Sequence, residues 1–146
     1  MHRELTFEFP NDLHYVEQAV DFVVHRCSTC ETVARKLRFN FRVCLAEALA
    51  NAIVYGNRRD PSKRVRVEVS LEQNCLRARV TDQGEGFDPN RLPDPTDPCN
   101  RSREGGRGIF LMRELMDEVH FNERGNSVTL VLLLPSPPSA AHEAIV

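Results

Sequence analysis

The chain has 146 residues, 41% of them apolar and 27% charged, the balance of one globular domain that can bury a core without disulfide or metal staples. Its 19 basic and 21 acidic side chains leave a formal charge of −2, so no global field draws it to nucleic acid, and no direct nucleic-acid partner is expected. No apolar run approaches the ~20 residues of a membrane helix, and the start, MHRELTFEFP, has neither the basic region nor the apolar stretch of a secretory signal; no membrane partner and a cytoplasmic location are expected.

Residues 4–9, ELTFEF, alternate with period two and predict a strand with Leu5, Phe7 and Phe9 on one face, ended by Pro10. Asn11 and Asp12 then open a helical stripe of Leu13, Val16, Val20, Val23 and Val24. Five cysteines, Cys27, Cys30, Cys44, Cys75 and Cys99, are odd in number and scattered, which suits reduced thiols rather than a disulfide framework. Cys27 and Cys30 form a CxxC near His25. Metal or redox use stays open there against small, semi-buried residues near a helix end, since no second pair completes a zinc site.

A second helix is predicted from about Arg35 to Tyr55, stopping at Gly56-Asn57. Strands at 65–72 and 75–82 follow as a hairpin around Gln73-Asn74. From Gln83 to Gly108 the chain turns glycine- and proline-rich, with Gly84, Gly86, Gly105, Gly106, Gly108 and prolines at 89, 93, 95 and 98. A loop of that length inside a compact domain belongs to a lid or binding site. A short helix at about 109–116 leads into two strands, EVHFNE and SVTLVLLL, joined by Arg124-Gly125-Asn126. VLLL lacks alternation and reads as central and covered. The Pro-rich residues 135–146 are expected to be a disordered tail after a domain of 1–134. The predicted fold class is α/β, a two-layer α/β sandwich with a mixed, mostly antiparallel sheet and helices on one face.

Three segments carry chemistry. In EALAN, Glu47 and Asn51 stand about 40° apart on a helix, while Leu45, Leu49 and Ile53 point about 160 to 240° away. Spacing alone also fits a solvated helix face. Their neighbours Cys44, Val54 and Tyr55 are less polar than such a face, and a covered carboxylate–amide pair suits magnesium coordination and activation of a hydroxyl. In TDQGEGF, Asp82 ends a strand ahead of Gly84 and Gly86, which permits either a turn or close approach of a ligand. In EGGRGIFLM, Gly105, Gly106 and Gly108 precede a helix whose first amides favour a phosphate, with Arg107 as a cationic clamp; a hinge is the other reading.

In this order the EALAN helix, the DQGEGF strand-turn and the GGRGIFLM loop-helix resemble the N box and the two glycine boxes of the histidine-kinase-like ATPase superfamily, from about Phe39 to Leu134. The short format, with LMDEV after the last glycine box, looks most like its anti-sigma-factor serine/threonine kinases. The resemblance implies the superfamily's fold, with ATP and Mg2+ as cofactors. By the same resemblance Glu47 matches the catalytic carboxylate, Asn51 the magnesium-binding amide and Asp82 the acceptor for the adenine amino group. Gly84 and Gly86 match glycines beside the nucleotide, and Gly106 and Gly108 those of the phosphate-side lid; Arg107 holds a position often apolar in the family.

The implied partners are a STAS-domain anti-anti-sigma protein, as substrate, and a sigma factor. Family members commonly form a homodimer, for which the exposed sheet face or edge is available. Two rival readings stand beside the kinase: a non-catalytic nucleotide-binding module that sequesters a regulatory partner, and an ATP-binding domain that serves a separate phosphotransfer protein. No phosphoaccepting helical hairpin is expected, and His14 and His25 read as surface or boundary residues.

Overall fold

The computed structural model describes residues 2–27, 37–86 and 106–134. Cys30, Arg35, Cys99, Gly105, the prolines of the long loop and the expected tail lie outside them. Strand β1 runs His2–Pro10, followed by a short 3-10 turn at Leu13–Tyr15 and helix α1 at Val16–Cys27. Asp12 caps the turn, its carboxylate accepting the His14 amide at 2.9 Å. Leu13 is therefore in the turn rather than on the buried stripe, and it is half-exposed, whereas Val20, Val23 and Val24 of α1 are buried as their spacing predicts.

A continuous helical segment comprises a π-type turn at Leu37–Phe41, helix α2 at Arg42–Asn51 and a second π-type turn at Ala52–Gly56. Strands β2 (Arg64–Glu72) and β3 (Cys75–Thr81), helix α3 (Gly106–Leu115), and strands β4 (Glu118–Phe121) and β5 (Ser127–Leu133) complete the order. The sheet is β1-β2-β3-β5-β4, and all four pairings are antiparallel.

Alternation fixes the register, because a slip of one residue would turn each strand's apolar set outward. Leu5, Phe7 and Phe9 pair with Val69, Val67 and Val65; these pass the pattern to Ala78 and Val80, and those to Leu130 and Val128. That single apolar face is covered by α1, α2 and α3, with Val23, Leu45, Leu49, Ile53 and Met112 fully buried between the layers. Burial of each such leucine contributes about 1.5–3 kcal/mol. β5 is flanked on both sides, and of VLLL Val131, Leu132 and Leu134 are buried as expected, although Leu133 is half-exposed. On the opposite face charged residues alternate, with Glu68 between Arg66 and Arg79. Asp21 of α1 and Arg42 of α2 form an ion pair that joins the two helices across the surface.

Candidate functional site

Glu47 and Asn51 sit one turn apart on α2, both half-buried, on the side opposite Leu45 and Leu49. What faces them is the first turn of α3. A Cβ on Gly108 would lie 2.7 Å from Glu47 Oε2 and 3.0 Å from Asn51 Nδ2, so a side chain there would have to displace the ends of both groups. The first amides of α3 have no acceptor within the helix and carry its positive pole to the same place. Gly106 and Gly108 are thus inside this helix rather than ahead of it as the sequence suggested. Cys44 is buried behind Glu47, its thiol 4.0 Å from the Leu111 carbonyl; burial, and secondarily the charge of Glu47, pushes that thiol up to about 11.

At the other end of the same helical segment stands Asp82. Its backbone is anchored to the β4–β5 turn, the amide donating to the Asn126 carbonyl at 2.9 Å, and its Oδ1 accepts the Gly84 amide at 2.8 Å. The carboxylate lies over Gly56: a Cβ there would fall 2.8 Å from Oδ1 and closer to Oδ2. Gly84 in turn is pressed on the Gly56 carbonyl, where a Cβ would come within 2.7 Å of the carbonyl carbon. Burial holds the Asp82 carboxyl above its ordinary value, only partly offset by the Gly84 amide, Lys63 and Arg124. A half-buried carboxylate that stays an acceptor, set against two bare α-carbons, can read a donor on a flat group.

The π-type turn joins these two ends. In an α-helix residue i+5 stands about 140° round the axis from residue i. The wider i→i+5 turn, closed by the Asn57 amide on the Ala52 carbonyl at 2.7 Å, holds more residues per turn and brings Gly56 nearer the Asn51 face. The helix does not stop through glycine geometry, as Gly56-Asn57 had suggested: Gly56 is its last residue, and Arg58 (φ 51°) and Arg59 (φ 59°) reverse the chain in the left-handed region. Gly56 is needed for Asp82 instead.

Of the remaining expected residues, Gly86 (φ 89°) lies against the Arg124 carbonyl, so its backbone conformation and the neighbouring turn both demand glycine there. Gly106 and Arg107 open α3; the Arg107 side chain lies outside what is described. Among the described residues no cluster of three or more His, Cys, Asp or Glu could cage a metal. The Asn51 amide beside the Glu47 carboxylate would suit magnesium held chiefly by phosphate oxygens with one or two protein ligands, the usual arrangement for this ion. Gly56 and Gly84 are bare because the Asp82 carboxylate and the Gly56 carbonyl occupy the space their side chains would need, and this packing holds the carboxylate in place as a hydrogen-bond acceptor.

Two residues escaped the sequence reading. Gly56 passed for a helix stop, and Asn57 for its partner, yet Asn57 is fully buried and its Oδ1 accepts the Gln83 amide at 2.7 Å. Nothing local distinguishes them from an ordinary helix terminus; only the pairing of this terminus with the end of β3 reveals them.

A family model described as the histidine kinase-like ATPase domain matches residues 9–132. The chain is 27% identical over 108 residues to the serine-protein kinase RsbW of Oceanobacillus iheyensis, covering 66% of this chain and 68% of that one. It is 26% identical over 141 residues to the serine-protein kinase RsbW of Bacillus subtilis, covering 85% and 88%. An anti-sigma F factor of Anoxybacillus flavithermus is 28% identical over 97 residues, covering 64% and 65%. Because the matched span takes in the EALAN helix, the Asp82 strand end and the first turn of α3 alike, the chain belongs to the histidine kinase-like ATPase family.

Proposed function

We propose that this chain is an ATP- and Mg2+-dependent serine/threonine protein kinase acting as an anti-sigma factor, which phosphorylates a STAS-domain anti-anti-sigma protein and sequesters a sigma factor. The observation that carries the reading is the seating of Gly108 between Glu47 Oε2 and Asn51 Nδ2, which joins a helix N-terminus to a carboxylate and an amide. The names of the relatives, serine-protein kinase RsbW and anti-sigma F factor, support the same class of activity and partner.

Each residue then has a task. Asp82 accepts a hydrogen bond from the adenine amino group, and Gly84 and Gly86 shape the turn beside the nucleotide. Asn51 holds the magnesium ion, which when bound neutralises phosphate charge. The amides of Gly106 and Gly108, with the Arg107 guanidinium, attract the phosphates. Glu47 orients the substrate hydroxyl and accepts its proton. The phosphate gained by the antagonist adds about two negative charges, enough to break its interface and leave the kinase free to hold the sigma factor.

The test is incubation of the purified chain with γ-labelled ATP and a candidate STAS protein. Acid-stable label on serine or threonine is expected. Acid-labile phosphate on a histidine, or nucleotide binding with no transfer to any candidate, would refute the kinase in favour of a phosphotransfer partner domain or a sequestering module.

A further inference from the structure

Asn57 is a fully buried polar residue that lies outside the nucleotide and hydroxyl contacts proposed for this site. Its side chain is committed on every side. Oδ1 accepts the Gln83 amide at 2.7 Å, while Nδ2 donates to Asn11 Oδ1 at 2.9 Å and to the Arg64 carbonyl at 3.0 Å. Asn11, also buried, is held in turn by donating to the Asp60 carbonyl at 3.0 Å and the Ile53 carbonyl at 3.4 Å. One amide therefore ties the helix end to the residue after β1, the start of β2 and the turn after β3.

That last contact matters for the site. Gln83 lies between Asp82 and Gly84, and its side chain also accepts the Arg64 amide at 2.8 Å. The turn carrying the carboxylate is thus gripped through its own backbone by the residue next to Gly56, the α-carbon on which the carboxylate rests. The Asp82 carboxylate has only two side-chain torsions and its Oδ1 accepts the Gly84 amide at 2.8 Å, so holding the backbone of this turn limits where the acceptor can stand. Buried, satisfied hydrogen bonds of this kind hold one geometry because any departure leaves a donor or acceptor unpaired.

We infer that Asn57 is a positioning residue for nucleotide selectivity: by holding the Gln83 amide it keeps the Asp82 carboxylate over Gly56, and so sets preference for a base bearing an exocyclic amino group. The inference rests on Asp82 being the acceptor for that amino group. Asn57 touches no nucleotide itself. A residue that merely stabilised the fold would affect all nucleotides alike; this one affects those that Asp82 can recognise.

The experiment is calorimetric binding of ATP and of purine riboside triphosphate, which lacks the 6-amino group, to the full chain as wild type, Asn57→Ala, Asn11→Ala and Asp82→Ala, with circular dichroism to establish folding. Wild type should prefer ATP on the order of tenfold, the worth of one hydrogen bond to a charged group. Asn57→Ala should reduce that preference to within about twofold by weakening ATP alone. Asn11→Ala, more distant, should remove part of it.

An Asn57→Ala protein that keeps the preference, or loses both nucleotides in parallel, overturns the inference. If Asn57→Ala does not fold, Asn11→Ala decides, and an unchanged preference there overturns it. A wild type that matches Asp82→Ala in having no preference shows instead that the Asp82 assignment has failed, and the inference falls with it.

Discussion

The carboxylate of Asp82 lies on the α-carbon of Gly56, where a methyl group would stand 2.8 Å from Oδ1 and nearer still to Oδ2. The obstructed atoms belong to a side chain, so Gly56→Ala can be accommodated by turning Asp82 away. Such overpacking costs about 1–3 kcal/mol, while ATP affinity should fall on the order of tenfold as the acceptor leaves its place. Gly84→Ala meets the Gly56 carbonyl, which is backbone and cannot turn aside. Its cost should reach ~3 kcal/mol or more, a melting point lower by roughly 10 °C. Thermal melts and calorimetry on the two variants check the contrast; equal melting points would contradict it.

Replacing Asp82 by Asn separates stability from recognition. Burial raises the Asp82 pKa in the folded state above the ordinary 3.8, so the folded protein binds the proton more tightly than the unfolded chain. Its contribution to stability is full below the unfolded value and is lost as pH rises through the raised one. Asp82→Asn keeps an oxygen for the Gly84 amide and carries no charge to bury. The variant should be more resistant to urea than wild type at pH 7, and the difference should shrink as the pH approaches 3.8. A difference independent of pH would refute the account.

The same group sets a pH dependence of binding. The ionised carboxylate is the stronger acceptor for the adenine amino group, so ATP affinity should decline as pH falls through a window above 3.8. Asp82→Asn should bind weakly and flatten that profile. Titration by calorimetry between neutral pH and the onset of acid unfolding measures it.

Glu47 and Gly108 should fail in different ways. Glu47→Gln preserves shape and should bind ATP within about twofold of wild type while transfer falls about 10²–10⁴-fold, the usual worth of a general base. Gly108→Ala pushes a methyl between Glu47 and Asn51. Alanine improves the helix by up to about 1 kcal/mol, so the fold should survive, with transfer reduced on the order of 10²-fold by displacement of the pair. Single-turnover assays with labelled ATP distinguish the two; a fully active Gly108→Ala enzyme would show that the pair tolerates displacement.

Cys44 should be inert. With its thiol pushed up to about 11 and its side chain buried, it should alkylate at least ~100-fold more slowly than half-buried Cys75 at pH 8. Iodoacetamide labelling followed by mass spectrometry reads this directly.

Period-two alternation located β1, β2 and β3 to within about two residues, because each buries one face and the register leaves no freedom in which residues occupy it, whereas β5 was read from an apolar run without alternation and is buried on both faces. The spacing of Glu47 and Asn51 against Leu45 and Leu49 likewise placed the pair on the side away from the core. What spacing could not reveal was long-range. Gly56 looks like a helix stop because glycine serves both that role and close approach, and only the arrival of Asp82, 26 positions later by number, decides between them. Leu13 failed for a local reason, since the Asp12 cap closes a 3-10 turn before the α-helix begins. The α3 start moved because glycine is a poor helix former and reads as loop, whereas Gly106 and Gly108 lie within the helix and Gly108 packs closely on Glu47 and Asn51 of α2.

The wide turn at Ala52–Gly56 makes the distance between the two ends of the site a matter of residue count more than of residue identity. Conservative exchanges at Val54 should pass unnoticed, whereas deleting a single position would tighten the coil, swing Gly56 out from beneath the carboxylate and uncouple the base-reading end from the phosphate end without touching a residue of either.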